Sequence, residues 1–250
     1  GVSDPIGDLA DTVHVKSDQA EFRDYFRKWF VGILPALLDD TVVNHEILVL
    51  IGEQGLYKTT WFNFLLPPEL RCYFYTKTNS DRLNKDDLFS LTEFALICFE
   101  ELDGMRPAEL NQLKAMVTMP YVNERAAYGR NKERHPHIAS FCGTGNNVQF
   151  LTDPTGNRRW LPFEVSQIRD PHLHAIPYEL VYSQAYALWK SGFCHWFSQE
   201  EIRKLNMHNS RFEVPNLEED LIRTHFRKPF EGEAGIFVTA ADILEQISSC

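Results

Sequence analysis

The stretch that decides the fold is ILVLIGEQGLYKTT, residues 47–60. It opens with five apolar residues, a short run typical of a buried strand, and Gly52 ends that run. Gly52, Lys58 and Thr59 occupy their positions in the pattern G-x-x-x-x-G-K-[ST], which connects a strand to a helix and holds phosphate groups. Tyr57 stands where the pattern has its second glycine. The stretch therefore predicts a phosphate-binding loop with one departure from the pattern.

The chemistry of such a loop assigns a task to each polar group. Backbone N–H groups point at phosphate oxygens, and the helix N-terminus behind them adds partial positive charge. Lys58 would reach the β- and γ-phosphates, and the Thr59 hydroxyl would bind Mg²⁺. We therefore predict ATP and Mg²⁺ as cofactors, with nucleotide contacts from Gly52, Gln54, Gly55, Lys58, Thr59 and Thr60. The alternative is a Gly-containing turn with a surface lysine, and Tyr57 strengthens that alternative.

A pair of carboxylates follows the third predicted strand. The apolar run at 94–99 ends in Glu100 and Glu101. About 40 residues separate the pair from the loop, which leaves room for one helix and one strand. In an NTPase, one carboxylate of such a pair holds Mg²⁺ and the other polarises the attacking water. The alternative is that the glutamates mark where a strand reaches solvent, and Asp103 is a third acid nearby.

An amide-rich turn follows the strand predicted at 138–143 and contains Asn146. Open parallel sheets bind ligands at the carboxyl ends of their strands, so this turn should face the same crevice as the loop. Asn146 would then hold the γ-phosphate or the attacking water. The alternative is an ordinary turn rich in Asn and Gly.

Two adjacent arginines, Arg158 and Arg159, follow a polar turn at 153–157. Arginines in a turn are commonly solvated, which is the plain alternative. In an oligomeric ATPase, one of them would instead reach the γ-phosphate of a neighbouring subunit, a task that suits a planar guanidinium.

The segment 104–160 reverses the charge balance of the chain. It holds eight Arg or Lys and four Asp or Glu, whereas the whole chain has 25 basic and 35 acidic residues and a net charge of −10. That net charge excludes a uniformly basic nucleic-acid-binding coat but not a local patch. Basic and aromatic residues interleave here, which suits backbone contacts and base stacking on single strands. The predicted nucleic-acid-binding residues are Arg125, Tyr128, Arg130, Lys132 and Arg134, and a solvated basic loop is the alternative.

Apolar periodicity predicts the remaining elements. Helices are expected at 21–38, 59–66, 108–117, 177–190, 199–207 and 239–247, and strands at 46–51, 71–75, 94–99, 138–143 and 160–165. Strands that alternate with helices predict an α/β fold with a mainly parallel sheet flanked by helices, plus helical N- and C-terminal segments. The predicted domains are an N-terminal helical segment at 1–45, a P-loop ATPase core at 46–165, a helical part at 166–212, and a linker with the start of a winged-helix module at 213–250.

Composition places the chain among ordinary globular proteins. Of its 250 residues, 44% are hydrophobic and 24% charged, which excludes disorder or coiled coil for the chain as a whole. The five cysteines are too far apart in sequence for a local zinc or redox motif, and we expect free buried thiols at Cys72, Cys98 and Cys142 in a reducing cytoplasm. The longest aliphatic run has five residues, so we expect no membrane span and a cytoplasmic location. The opening Gly1-Val2-Ser3, without Met or signal peptide, indicates an excised piece of a longer protein.

Taken together, these motifs resemble the virulence-associated-E (VirE) helicase domain of phages, plasmids and mobile elements. That family is similar to superfamily 3 helicases and has an AAA+-like P-loop fold. The resemblance covers roughly residues 20–210. The stretches that carry it are 52–60, 100–103, 124–130, 143–147 and 153–162, of which the last is the most specific.

The resemblance implies a role for each matching residue. Lys58 and Thr59 would bind nucleotide and metal, Glu100 would be the metal-binding acid and Glu101 the base that polarises water. Asn146 would be the sensor residue, and Arg158 or Arg159 would be an arginine finger that acts in trans. The departure at Tyr57, where the family has Gly, puts tight nucleotide binding in doubt. The family's helicases commonly work as rings and are often fused to a primase, which implies a hexamer-like homo-oligomer, single-stranded DNA and a primase or other replication partner.

The sequence therefore predicts an ATP-dependent DNA helicase or DNA-translocating ATPase of a phage or mobile-element replication or transfer system. It would hydrolyse ATP at subunit interfaces. One alternative is a nucleotide-dependent switch that binds DNA or a protein without unwinding. A small-molecule kinase would share the loop and the acidic strand but would not need the arginines in trans. A degenerate P-loop scaffold would bind no ATP.

Overall fold

The computed structural model describes residues 3–78, 85–124, 133–152, 157–215, 217–230 and 232–248. The chain divides into two compact units, Gly1–Glu213 and Val214–Cys250. The first unit contains every strand of the described chain and is built around one central sheet.

Eight strands are described. They are β1 Val13–Val15, β2 Ile47–Ile51, β3 Phe74–Lys77, β4 Leu96–Phe99, β5 Tyr121–Glu124, β6 Glu133–Pro136, β7 Ser140–Gly145 and β8 Trp160–Ile168. Six of them form the central sheet in the order β1-β8-β2-β7-β4-β3. All neighbours in it are parallel except β1, which pairs antiparallel with β8. β5 and β6 form a separate antiparallel pair.

In the described residues, seven α-helices belong to the first unit and two to the second. They are α1 Pro5–Ala10, α2 Gln19–Leu38, α3 Lys58–Phe64, α4 Lys85–Glu93, α5 Pro107–Val117, α6 Tyr178–Lys190 and α7 Gln199–Asn209, then α8 Leu217–His225 and α9 Ala240–Ser248. The first unit is thus a mixed α/β fold with a mostly parallel sheet flanked by helices. This confirms the fold class predicted from the alternation of strands and helices.

The central strand β2 is buried along its whole length because helices cover both faces of the sheet. On one face, Leu48 and Leu50 join a core cluster with the apolar side chains of α2, α3 and α6. On the other face, Ile47, Val49 and Ile51 join a second cluster with α5. The uninterrupted apolar run of this strand follows directly from that two-sided burial.

Helix α2 is fixed by its cap and by its aromatic face. Asp18 is its N-cap, and the side chain accepts hydrogen bonds from the N–H groups of Ala20 and Glu21. Trp29 is fully buried, and its Nε1 donates to the carbonyl oxygen of Phe141 in β7 at 2.8 Å. This bond ties α2 to the strand whose carboxyl end carries the amide-rich turn.

Two local predictions are wrong. The segment predicted as a strand at 71–75 instead starts with a 3₁₀ helix, Pro68–Tyr73, and the strand begins only at Phe74. Pro67 and Pro68 favour this turn because proline fixes φ near the helical value and suits a first helical turn. As a result Cys72 is exposed, whereas Cys98 and Cys142 are buried as expected.

The second unit is helical in its described residues. The helix α8 begins inside the segment 213–220, which was expected to be a linker, and α9 is shifted by one residue from the helix expected at 239–247. Outside residues 216, 231, 249 and 250, this unit shows no strand, so the expected winged-helix module has no described β-component. No helix in the described parts of the chain is both long and apolar enough to cross a bilayer.

Candidate functional site

Three strand ends meet at the carboxyl edge of the sheet. β7 lies between β2 and β4, with Ile51 opposite Gly145 and Phe99 opposite Gly143. The backbone N–H of Gly52 extends the pairing by donating to the carbonyl oxygen of Gly145 at 3.1 Å. The turns after β2, β4 and β7 therefore surround one cavity of about 440 Å³. Its lining residues are Gln54, Gly55, Leu56, Tyr57, Lys58, Thr59, Thr60, Glu100, Glu101, Thr144, Gly145 and Asn146.

Lys58 is the buried cation of this cavity. Its side chain folds back under the loop, and Nζ donates to the carbonyl oxygens of Gly52 at 2.5 Å and Glu53 at 2.7 Å. A third contact at 3.3 Å joins Nζ to Oδ1 of Asn146. Burial lowers the pKa of Lys58, while the carboxylate of Asp103 acts in the opposite direction. In the part of the chain that the structure describes, this ammonium group thus contacts carbonyl and amide oxygens but no carboxylate.

Thr59 and Glu100 form the second polar contact of the cavity. The Thr59 hydroxyl donates to Oε1 of Glu100 at 2.7 Å. A hydroxyl beside a carboxylate is a suitable pair of hard oxygen ligands for Mg²⁺, which keeps several waters and takes further oxygens from substrate phosphates. Within the described residues no group of three or more His, Cys, Asp or Glu side chains forms a metal cage. Any cation here would therefore need ligands beyond this pair.

Backbone strain is concentrated at this cavity. Among the described residues, only two non-glycine residues have positive φ: Tyr57 at 60° and Glu101 at 55°. Both line the cavity. The left-handed region costs such residues about 1–2 kcal/mol, and residues held there cluster at functional sites. Gly55, at φ 88°, supplies the remaining positive φ of the loop at no such cost.

The edge strand β3 holds the backbone of Glu100 in place, a contact that was not predicted from the sequence. The carbonyl oxygen of Lys77 accepts the backbone N–H of Glu100 at 2.9 Å. The Lys77 ammonium is buried and pairs with Asp87 of α4 at 2.6 Å. The predicted strand at 71–75 stopped before Lys77, and no helix was predicted at Asp87, so neither residue could be related to the site.

Arg158 and Arg159 lie at the opposite edge of the sheet. They end a 3₁₀ turn, Asn157–Arg159, just before β8, and the register places Trp160 opposite Ile47 at the amino end of β2. At about 3.3 Å per residue, β2 separates them from the loop by roughly 15–20 Å. The structure therefore does not bring either arginine to the cavity of its own chain.

A second cavity, of about 370 Å³, lies beside these arginines. It is lined by His45, Glu46, Thr118, Arg158, Arg159, Trp196, Phe197 and Ile202. Glu46 is half-buried, and burial raises its pKa to about 7. The side chain of neither arginine makes an ion pair or hydrogen bond with another described residue. Burial and the charge of Arg158 lower the pKa of Arg159, while the charge of Glu46 acts in the opposite direction.

The predicted nucleic-acid segment is only partly described. Arg125, Tyr128, Arg130 and Lys132 lie outside the described residues. Arg134 lies on β6, where its guanidinium stacks on the ring of Tyr121 in β5 at 3.4 Å. The composition of this region predicted contacts to single strands or a solvated basic loop, but not the antiparallel pair.

The fold and the cavity define an α/β protein with a loop-and-carboxylate site at the carboxyl edge of a parallel sheet. The family model of the Virulence-associated protein E-like domain matches residues 4–214. The chain therefore belongs to this family, which confirms the resemblance recognised from the motifs.

Two solved structures are similar in fold. The apo structure of the NrS-1 C terminal region (305-718) has a TM-score of 0.51 at 12% identity, and covers 100% of this chain and 62% of that chain. The A form apo structure of the same region has a TM-score of 0.51 at 13% identity, and covers 88% of this chain and 53% of that chain. The chain thus spans little more than half the length of these relatives. A search of curated proteins found no match.

Proposed function

We propose that this chain is a P-loop ATPase that works as an ATP-dependent DNA helicase or DNA-translocating ATPase in the replication or transfer of a phage or mobile element. The observation that carries the proposal is the convergence of Lys58, Thr59 and Glu100 on one cavity behind a strained strand-to-helix loop. Membership of the Virulence-associated protein E-like family supports it. The action would take place in the cytoplasm.

The residues of the cavity fit ATP with Mg²⁺. The ammonium of Lys58 would bind β- and γ-phosphate oxygens, and the first turn of α3, which has no side-chain cap, leaves N–H groups for the same oxygens. Thr59 and Glu100 would hold the cation. Glu101 would orient and polarise the attacking water, and Asn146 would contact the γ-phosphate. ATP with Mg²⁺ would supply a γ-phosphoryl group whose charge the cation withdraws.

The second cavity supports hydrolysis at subunit interfaces. Arg158 and Arg159 lack an anionic contact among the described residues and lie too far from the nucleotide cavity of their own chain. A head-to-tail contact would bring them to the cavity of the next copy, and such contacts close into rings. We propose a hexamer-like homo-oligomer in which one of them is the finger.

The antiparallel pair β5–β6 would contact single-stranded DNA. Arg134 and Tyr121 already form a flat, stacked surface, and Arg–aromatic surfaces suit unpaired bases. The basic residues between the two strands would add phosphate contacts. A primase or another replication protein would be the partner of the motor.

A nucleotide-dependent switch without unwinding is the second candidate. Tyr57 favours it, because this strained residue lines the cavity with 42% of its surface exposed and has a bulky ring where the loop pattern has none. The net charge of −10 also opposes tight binding to a polyanion. A switch would bind ATP with little turnover stimulated by DNA.

The test is ATP hydrolysis over a range of protein concentrations, with and without single-stranded DNA. We expect DNA-stimulated turnover that rises with concentration and is lost in Lys58→Ala and Arg159→Ala. Lys204→Ala and Arg203→Ala, which change exposed residues of α7, are the matched controls and should leave turnover unchanged.

Three other results would each point elsewhere. Turnover that ignores DNA and survives Arg159→Ala would refute the motor and favour the switch. Turnover independent of protein concentration would favour a small-molecule kinase. Absence of ATP binding by the wild type would indicate a degenerate P-loop scaffold.

A further inference from the structure

Asp103 joins two turns of the site without lining the cavity. It lies in the 3₁₀ turn Leu102–Gly104 that follows β4 and the two glutamates. Its Oδ1 accepts the backbone N–H of Asn146 at 3.2 Å, and its Oδ2 accepts the N–H of Asn147 at 3.0 Å. The carboxylate therefore bridges the turn after β4 to the turn after β7.

Strand β7 is shaped to receive this turn. A Cβ at Gly145 would lie 3.0 Å from Oδ1 of Asp103, and a Cβ at Gly143 would lie 2.2 Å from Cδ1 of Leu102. The second distance is far too short for two carbon atoms, so only glycine at 143 lets the buried Leu102 pack there. Two glycines on one strand thus permit the close approach that Asp103 then fixes by hydrogen bonds.

Asp103 lies next to two groups that are predicted to take part in hydrolysis, Glu101 and Asn146. Glu101, in its strained left-handed conformation, lies two residues before it. Asn146, whose N–H it accepts, contacts the ammonium of Lys58 through Oδ1 at 3.3 Å. Asp103 therefore connects the turn of the predicted base to the backbone of the predicted sensor.

We propose that Asp103 is a positioning residue that locks the turn of Glu101 to the turn of Asn146, so that both side chains face the same end of the nucleotide. This inference rests on the proposed ATPase function. It also assigns the cation to Thr59 and Glu100 and not to Asp103, because that pair lines the cavity and Asp103 does not. The third acid of the acidic turn is thus structural support for the other two.

The test compares Asp103→Ala and Asp103→Asn with wild type. We expect Asp103→Ala to lower kcat by about 10- to 100-fold, because small misplacements of reacting groups cost rates of this order. The Kd for a fluorescent ATP analogue and the Mg²⁺ concentration for half-maximal turnover should stay within about twofold, since neither ligand contacts Asp103. Asp103→Asn keeps one acceptor oxygen and should fall between the two.

The matched control is Asp170→Ala. Asp170 also accepts a backbone N–H with its carboxylate, from His172 at 2.9 Å, but in an exposed loop that does not line the cavity. Thermal melting of all variants checks that each is folded, and amide exchange at Asn146 and Asn147 should speed up only in the Asp103 variants. This exchange readout does not depend on turnover.

Each remaining outcome has one meaning. A large rise in the Mg²⁺ requirement of Asp103→Ala would make Asp103 a metal ligand and overturn the proposal, as would an unchanged kcat. An equal loss of kcat in Asp103→Asn and Asp103→Ala without faster exchange at Asn146 would also overturn it. If the wild type binds no ATP analogue, the ATPase function itself fails, and the positioning role fails with it.

Discussion

The two edges of the central sheet carry opposite arrangements of charge. At the carboxyl edge, the Lys58 ammonium is surrounded by carbonyl and amide oxygens, and carboxylates stand a turn away. At the amino edge, Arg158 and Arg159 share a cavity with one half-buried glutamate and contact no carboxylate among the described residues. At the first edge the cation is held by direct hydrogen bonds, whereas at the second edge the two arginines lie near Glu46 without an ion pair to it. This difference underlies our proposal that Arg158 or Arg159 acts on the cavity of a neighbouring copy.

The largest expected effect is a loss of ATP turnover when an arginine of the amino edge is removed. Arg159→Ala, or Arg158→Ala if that residue is the finger, should lower kcat by about 10³-fold, the range found for arginine fingers. The Kd for ATP should hardly change, because neither side chain reaches the cavity of its own chain. Steady-state hydrolysis and titration with a fluorescent ATP analogue measure the two quantities.

Mixing two inactive variants tests whether neighbouring chains share one site. In an equal mixture of Lys58→Ala and Arg159→Ala chains, about one quarter of head-to-tail contacts would pair an intact cavity with an intact arginine. Activity should return on mixing. Two inactive variants that stay inactive together, despite proven co-assembly, would contradict the sharing of sites.

The next effect concerns nucleotide affinity at the carboxyl edge. Lys58→Ala should weaken ATP binding by about 100-fold, since it removes a buried cation from the phosphate chain. Lys204→Ala, at an exposed position on α7, is the control. Isothermal titration is the measurement, and equal affinities in the two variants would show that the phosphates do not contact Lys58.

The contribution of Glu46 at the amino edge to folding stability should depend on pH. Burial raises the pKa of Glu46 to about 7 from 4.5, so the stability that its neutral form contributes is present below pH 4.5 and lost as pH rises through 7. Glu46→Gln should therefore be more stable than wild type above pH 7, by on the order of 2 kcal/mol, and equal to it at low pH. The charges of Lys28 and Arg159 act against this rise, and His45 is the other titratable group nearby, with its own pKa lowered by burial.

Chemical denaturation at pH 5 and pH 8 checks this prediction. Glu200→Gln, which changes a largely exposed glutamate of α7, should show no such divergence between the two pH values. A Glu46→Gln variant that loses stability equally at both would show that the carboxylate, and not the neutral acid, is the favoured form in the folded chain.

The sequence was sufficient for features encoded within one short stretch. The run 47–60 predicted β2, its loop and α3, because a buried strand and a phosphate loop each have a local pattern. The strand order β2-β7-β4 is a long-range property, and it decides that Asn146 lies between the loop and Glu100. The parallel pairing of β8 with β2 places Arg159, which directly precedes β8, at the far edge. Neither position follows from local periodicity.

Contacts between turns could not be predicted from the sequence for a related reason. Asp103 looked like one more acid, since nothing in its neighbourhood reveals that residues 43 positions later donate to it. The β5–β6 pair was not predicted because its strands are short and polar. At 71–75 the apolar pattern was misleading, because the two prolines before it imposed a 3₁₀ turn.

The smallest effect tests the strain that marks the carboxyl edge. Tyr57→Gly should raise the free energy of unfolding by about 1 kcal/mol, because glycine adopts φ near 60° without the steric cost that tyrosine pays. Tyr73→Gly is the control: Tyr73 is similarly exposed but lies in a 3₁₀ turn, where glycine should destabilise. Thermal melting of the three proteins measures both changes. If Tyr57→Gly also raises ATP turnover, the tyrosine side chain limits the activity of a motor. If the variant is more stable but no longer binds nucleotide, the strained tyrosine is retained for function, and this result supports the switch.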